Sequence, residues 1–274
     1  MNESEYLKQA KNDVESCISI WSQILENSFK NKVEVVYTKG SAIKNWESII
    51  DYVPIISDVD IHIVPKENVD FYMGKSTAFF EAMHLSQRYE RMFVEENQDY
   101  LHIPRTQIVK FDDVIDPDSF IMPRKKDVRV LFGSYSEKEE KSLEFIRKID
   151  RENILELKNF LDSLPKTIID RTGLDLWVLI RRICWRVSPT PIRLLSLSND
   201  EPLDLWTLNR TTIVKKLEEN NFTQIAENYL DYYYEGWLAF LGNFNDSEIM
   251  RRMITLGYEV LRDCYNQIKE IKEI

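Results

Sequence analysis

Two aspartates one residue apart, Asp58 and Asp60, follow Ser57 and open the run Val59-Asp60-Ile61-His62-Ile63-Val64, which stops at Pro65. Alternation of polar and apolar residues is the pattern of a strand, and on a strand residues i and i+2 point the same way, roughly 6–7 Å apart. Asp58, Asp60 and His62 are therefore expected on one face. Ile55, Ile56, Val59, Ile61 and Ile63 make the surroundings apolar. Two carboxylates held there repel each other and lose hydration. A hard divalent cation relieves both costs, and magnesium favours one or two carboxylates together with phosphate oxygens. Upstream, the β-branched run 33–38 leads into Lys39-Gly40-Ser41. A glycine lets backbone approach a phosphate closely, and a serine offers a hydroxyl and an N–H. The chemistry expected is phosphoryl-group transfer, with a metal stabilising a leaving pyrophosphate. An isolated Asp-x-Asp is commonplace on solvent-facing strands; the order strand, Gly-Ser, Asp-x-Asp gives this one weight.

That order resembles the signature of the nucleotidyltransferase superfamily related to DNA polymerase β, although the segment from Ser41 to Asp58 is longer than usual. Residues 123–135 (PRKKDVRVLFGSY) and 181–187 (RRICWRV) look like the streptomycin/spectinomycin adenylyltransferases. Those enzymes pair a nucleotidyltransferase domain with a C-terminal helical bundle. The resemblance spans roughly residues 33–220 and is specific at GS…SDVD. It implies that Gly40, Ser41 and Ser57 meet the triphosphate, that Asp58 and Asp60 bind Mg2+, and that Arg182 reaches the phosphates. It places Tyr135 against an aminoglycoside. The implied reaction moves a nucleoside monophosphate, AMP from ATP, to a hydroxyl of a small acceptor.

The family carries a third acid on a later strand, where it deprotonates the attacking hydroxyl or completes the metal site. The matching strand here is 106–111, and Gln107 stands at that position. Glutamine neither takes a proton at neutral pH nor binds metal strongly. Asp112 and Asp113 follow at the strand end, and Asp112 is the candidate to replace the missing acid. Two rival readings follow. One is a relative that binds nucleotide without turnover, which Gln107 favours. The other is a nucleotidyltransferase that modifies RNA or protein.

Other residues carry weaker signals. His62 could tune a metal site from behind, whereas His84 and His102 lack partners at ligand spacing. Asp170 and Asp175 precede the arginine-bearing helix and are candidates to meet an amine-bearing acceptor. Tyr232, Tyr233, Tyr234, Trp237 and Phe240 read as core; facing a cleft, with Asp231 and Glu235, they would suit a cationic sugar. Arg181, Arg182, Arg186, Arg193, Arg210, Lys215 and Lys216 make this half locally basic.

These residues need elements to position them. Val14, Cys17, Ile18, Trp21 and Ile24 recur at helical spacing and predict a helix over 4–28. Strands are expected at 33–41, 58–64 and 100–111, with a helix over 66–93 between the last two. Residues 127–135 are either a last strand or a loop. From Glu137 onward no strand pattern is found. Helices are expected over 174–187, 207–219, 223–242 and 246–274, the last capped by Asp246 or Ser247. The expected architecture is an α/β (α+β) N-terminal nucleotidyltransferase domain, residues 1–138, and a C-terminal all-helical bundle, residues 139–274.

The 274 residues carry a net charge of −10, with 43% hydrophobic residues. Acidity disfavours non-specific nucleic-acid binding, which needs clustered Lys and Arg. The polar N-terminal stretch has no signal-peptide core, and no apolar run reaches the roughly 18 residues of a membrane span. Cys17, Cys184 and Cys264 are too scattered for a metal cluster. A reduced cytoplasmic protein is expected.

Overall fold

The computed structural model describes residues 2–66, 78–110, 120–137 and 139–270. They form two compact units. The first comprises residues 1–45 and 57–140, the second residues 46–56 and 141–274. The chain thus passes from one unit to the other three times. Residues 46–56, read from sequence as part of the N-terminal half, are built into the helical one.

The first unit opens with helix α1 (Glu3–Phe29), whose start is closed by a capping box between Asn2 and Glu5. Its buried stripe runs through Ala10, Val14, Cys17, Ile18, Trp21 and Ile24. Strand β1 (Val33–Lys39) follows, then a 3-10 turn at Ser41–Ile43. Next come β2 (Val59–Pro65), helix α2 (Ala78–Glu96), β3 (Thr106–Lys110) and β4 (Arg129–Gly133). The sheet order is β3-β2-β1-β4. β1 is antiparallel to β2 and β4, whereas β2 and β3 are parallel. A parallel pair needs a long crossover, and α2 lies within it. Of the helix expected over 66–93, residues 67–77 lie outside the described part, and α2 occupies the rest and runs on to Glu96.

The strand expected at 100–111 is shorter, and its first residues are held otherwise. Asp13 of α1 accepts hydrogen bonds from the backbone N–H of Leu101 (2.9 Å) and His102 (3.0 Å) and contacts His102 Nδ1 at 3.0 Å. Residues 127–135 do contain a strand, β4. α1 lies against β1, β2 and β4. Val59, Ile61 and Ile63 are fully buried on one face of β2. Asp60 and His62 point to the other, where Val35, Tyr37 and Tyr135 pack with Val64, Met122 and Val128.

All described regular structure in the second unit is helical. It comprises α3 (Leu143–Leu155), α4 (Leu157–Ile168), α5 (Leu176–Val187) and α6 (Thr190–Ser196), then α7 (Pro202–Leu205), α8 (Arg210–Glu219), α9 (Thr223–Leu241) and α10 (Ser247–Glu270). Short 3-10 turns sit at Ile49–Asp51 and Gly173–Asp175. Asp246 caps α10 by accepting from Glu248 and Ile249 N–H at 2.8 and 3.2 Å. α10 packs against α5 and α9. Gly257 lets them pack closely, since a Cβ there would stand 2.5 Å from Ile183 Cγ2 and 2.9 Å from Tyr232 Cε2. Tyr229, Tyr232, Tyr233 and Trp237 are core residues of α9.

Residues 46–56 strap onto α8 and α9. Trp237 Nε1 donates to Ile49 O at 2.6 Å, and Arg210 Nη1 donates to Ile50 O at 2.9 Å. Asp51 Oδ1 accepts from Thr211 N at 2.8 Å. Asp51 Oδ2 accepts from Glu47 N (2.6 Å), Ser48 N (3.0 Å) and Thr211 Oγ1 (3.0 Å). Arg210 lies over the Tyr233 ring, 3.9 Å from its centroid. No described helix is long and apolar enough to cross a membrane.

Candidate functional site

Gly40 leaves β1 with φ 81° and ψ −160°, a region that side chains exclude. A Cβ there would also stand 2.8 Å from Asp60 Oδ2. Glycine is therefore required twice, by its conformation and by the carboxylate beside it. That closeness brings the Gly-Ser turn and the aspartate pair together. Lys11 of α1 holds the turn from below, its Nζ donating to Ala42 O and Lys44 O at 3.2 Å each. Ser41 is half-buried at the first position of the turn, and Ser57 is buried. Two residues before Ser57, Ile55 adopts φ 70°, a strained value for a β-branched residue.

Strand register sets the neighbours of Asp60. Lys39 of β1 lies opposite it on one side and Gln107 of β3 on the other. Tyr37 and His62 form the next pair on the same face. Asp58 sits just ahead of β2, where the backbone N–H of Val59 donates to Arg105 O at 2.9 Å. Arg105 Nη2 donates to Asp58 Oδ2 at 2.5 Å. Among the described residues the Asp60 side chain accepts no hydrogen bond.

The electrostatics follow. Burial, then the charge of Asp58, pushes the Asp60 carboxyl up to about 7, while Lys39 and Arg105 pull the other way. Burial lowers the Lys39 ammonium, opposed by Asp60. Burial and Lys39 hold His62 down to about 3, so its imidazole is neutral. His62 stacks on Tyr37, ring centroids 5.1 Å apart, and its buried Nδ1 finds no hydrogen-bond partner among the described residues. It supports the sheet face from within rather than reaching outward.

Tyr135, the candidate to lie against a ligand, stands in the apolar cluster on the sheet. It is 7% exposed, its ring meets Tyr37 edge-on, and its hydroxyl donates to Pro123 O. The strand ending at Gly133 turns it into the apolar cluster on the sheet. Asp112 and Asp113 lie outside the described residues. Arg182 belongs to the helical unit, where its guanidinium lies over Phe160 at 5.5 Å. In the same unit Asp175 pairs with Arg171 at 2.7 Å, and Asp170 is exposed. Tyr234 and Asp231 line an open groove with Glu235, which Arg252 holds by two bonds of 2.9 and 3.2 Å. His102, without a ligand-spaced partner in sequence, meets Asp13. Among the described residues no three His, Cys, Asp or Glu side chains gather to hold a metal.

Sequence reasoning missed Lys39, Arg105 and Lys11. Lys39 carried a signal, since it directly precedes Gly40. Arg105 and Lys11 carried none beyond their charge. No family model, curated protein or solved structure matches the chain.

A magnesium ion fits the donor set. Asp58 and Asp60 supply hard oxygens, the Asp60 carboxylate lacks donors of its own among the described residues, and its neighbouring anion raises its need for a cation. Phosphate oxygens and water complete the usual magnesium shell, so two carboxylates suffice.

Proposed function

We propose that the protein is a nucleotidyltransferase, transferring a nucleoside monophosphate, AMP from ATP, to a hydroxyl of a small molecule such as an aminoglycoside. The observation that carries this reading is the closeness of Gly40 to Asp60, where a Cβ would stand 2.8 Å from Oδ2, which joins the Gly-Ser turn to the carboxylate pair. Asp58 and Asp60 would hold magnesium, which supplies charge neutralisation of the leaving pyrophosphate. Gly40 lets the backbone pass against the Asp60 carboxylate, and Ser41 offers a hydroxyl and an N–H at the start of a turn. Lys39 and Arg105 add positive charge beside the carboxylate pair. Neutral His62 contributes none. Gln107 donates and accepts hydrogen bonds but takes no proton, so the proton of the attacking hydroxyl needs another acceptor, for which Asp112 remains our candidate. Three buried free cysteines support a reducing compartment, the cytoplasm.

A second reading has one specific observation in its favour. Gln107 pairs directly with Asp60 across β2 and β3, and the resemblance implies a third acid at that residue. This favours a protein that binds magnesium-nucleotide without turning it over. The net charge of −10 weighs against RNA as the acceptor.

Calorimetry with ATP, with and without magnesium, tests the common part of both readings. Pyrophosphate release over a panel of aminoglycosides then divides them. Magnesium-dependent binding with release for one acceptor supports the transferase. Binding without release, with release appearing in Gln107→Glu, supports the second reading. Absence of binding sinks both.

A further inference from the structure

We propose that Arg105 is a latch on the nucleotide site: it occupies Asp58 until magnesium and triphosphate arrive together, then turns to the phosphates. This rests on the nucleotide-binding reading above and adds a ligand of its own, a phosphate oxygen on the Arg105 guanidinium.

The base of the side chain is fixed. Arg105 O accepts from Val59 N, and the preceding residue, Pro104, accepts from the hydroxyl of buried Tyr89 at 2.7 Å. The parallel register that starts at Val59 and Thr106 sets Arg105 beside Asp58. The head of the side chain is poorly provided for. Among the described residues its one hydrogen bond is Nη2 to Asp58 Oδ2, while its buried Nε has no partner. Guanidinium presents five N–H donors in a fork suited to two oxygens at once. A buried, unmet donor is costly, and an end-on contact leaves the fork unused. A phosphate group offers what Asp58 does not: several oxygens on one centre, able to meet Nε and Nη2 together.

Asp58 cannot serve two cations equally well. A guanidinium at 2.5 Å from Oδ2 takes up the lone pairs on that side of the carboxylate. With Lys39 opposite Asp60, the two aspartates already face two cations. Bare magnesium would bring a further charge of +2 against Arg105 and Lys39. Triphosphate reverses that repulsion and draws Arg105 off Asp58. The latch therefore makes metal without nucleotide a poor ligand, and metal with nucleotide a good one.

Substitution of Arg105 must then move two affinities in opposite directions. Mn2+ alone, followed by electron paramagnetic resonance, is expected to bind Arg105→Ala about tenfold more tightly than the wild type. MgATP, followed by calorimetry, is expected to bind it about tenfold more weakly, each tenfold being one step of a single lost interaction. Arg105→Gln, which keeps most of the length without the charge, should show the same opposed pair if the alanine variant does not fold. Shifts of the same sign, or no shift in either affinity, overturn the latch while leaving the nucleotide site standing. A wild type that binds no MgATP overturns the nucleotide reading itself, and the latch with it.

Discussion

Two aspartates in this molecule are provisioned in opposite ways. Asp51, in the strap of the helical unit, is 2% exposed and accepts four hydrogen bonds, three of them from backbone N–H groups. Asp60, on the sheet, accepts none among the described residues and faces a second carboxylate whose charge helps to push its own carboxyl up. Donors arranged around Asp51 replace the water it gave up. Asp60 gave up water and received a like charge in return. A carboxylate treated the first way holds a fold together; one treated the second way has cations near it but, among the described residues, no hydrogen-bond donor on its oxygens, and such oxygens are what a site for an incoming cation requires.

The sharpest test of the contrast is Asp51→Ala. Loss of one acceptor for four donors, beside buried Arg210, should cost about 3–5 kcal/mol in urea denaturation. A loss under about 1 kcal/mol would erase the distinction. Asp60→Asn should do the reverse. Because the folded pKa of Asp60 lies above its ordinary value, ionisation penalises the fold. The penalty is absent below pH about 4, grows as pH rises, and is complete above the folded value of about 7. Without divalent cation the asparagine variant should therefore match the wild type at pH 4 and exceed it by about 1–2 kcal/mol at pH 8, while losing magnesium-dependent ATP binding. Equal stability at both pH values would show that Asp60 carries no such strain. Gly40→Ala comes next, at about 1–2 kcal/mol from its positive φ, with ATP binding reduced because the new methyl group displaces the Asp60 carboxylate. Retained binding would remove the turn from the site. Lys215→Ala marks the small end. Its ion pair with Glu47 at 3.4 Å is exposed, and the denaturation midpoint should not move.

A β-branched run made β1 readable and alternation made β2 readable, since Val59, Ile61 and Ile63 must share a buried face. The Gly40 requirement was readable too, because few other roles explain a glycine between a strand and a serine. The strap was not. Ile49, Ile50, Val53 and Ile56 look like material for the adjacent strand, and hydrophobicity does not say which surface an apolar residue will meet. Residues 100–105 have strand composition, yet their backbone partner is Asp13, nearly ninety positions away. Arg105 acquires meaning only through the parallel pairing of β2 with β3, a long-range choice that local pattern does not encode. Tyr135 illustrates the converse: a polar-tipped aromatic near a site serves the core as readily as a ligand.

The strap also sets an order of events at the ribosome. Thr211 and Trp237 lie 160 and 188 positions beyond their partners Asp51 and Ile49. Synthesis runs at about 5–20 residues per second, so residues 46–56 wait many seconds for α8 and α9 to be made. The segment that leads directly into Ser57 and Asp58 is thus among the last to find its place, although it is among the first to emerge. A chain halted before Arg210 would carry both aspartates and none of the strap's anchors on α8 and α9.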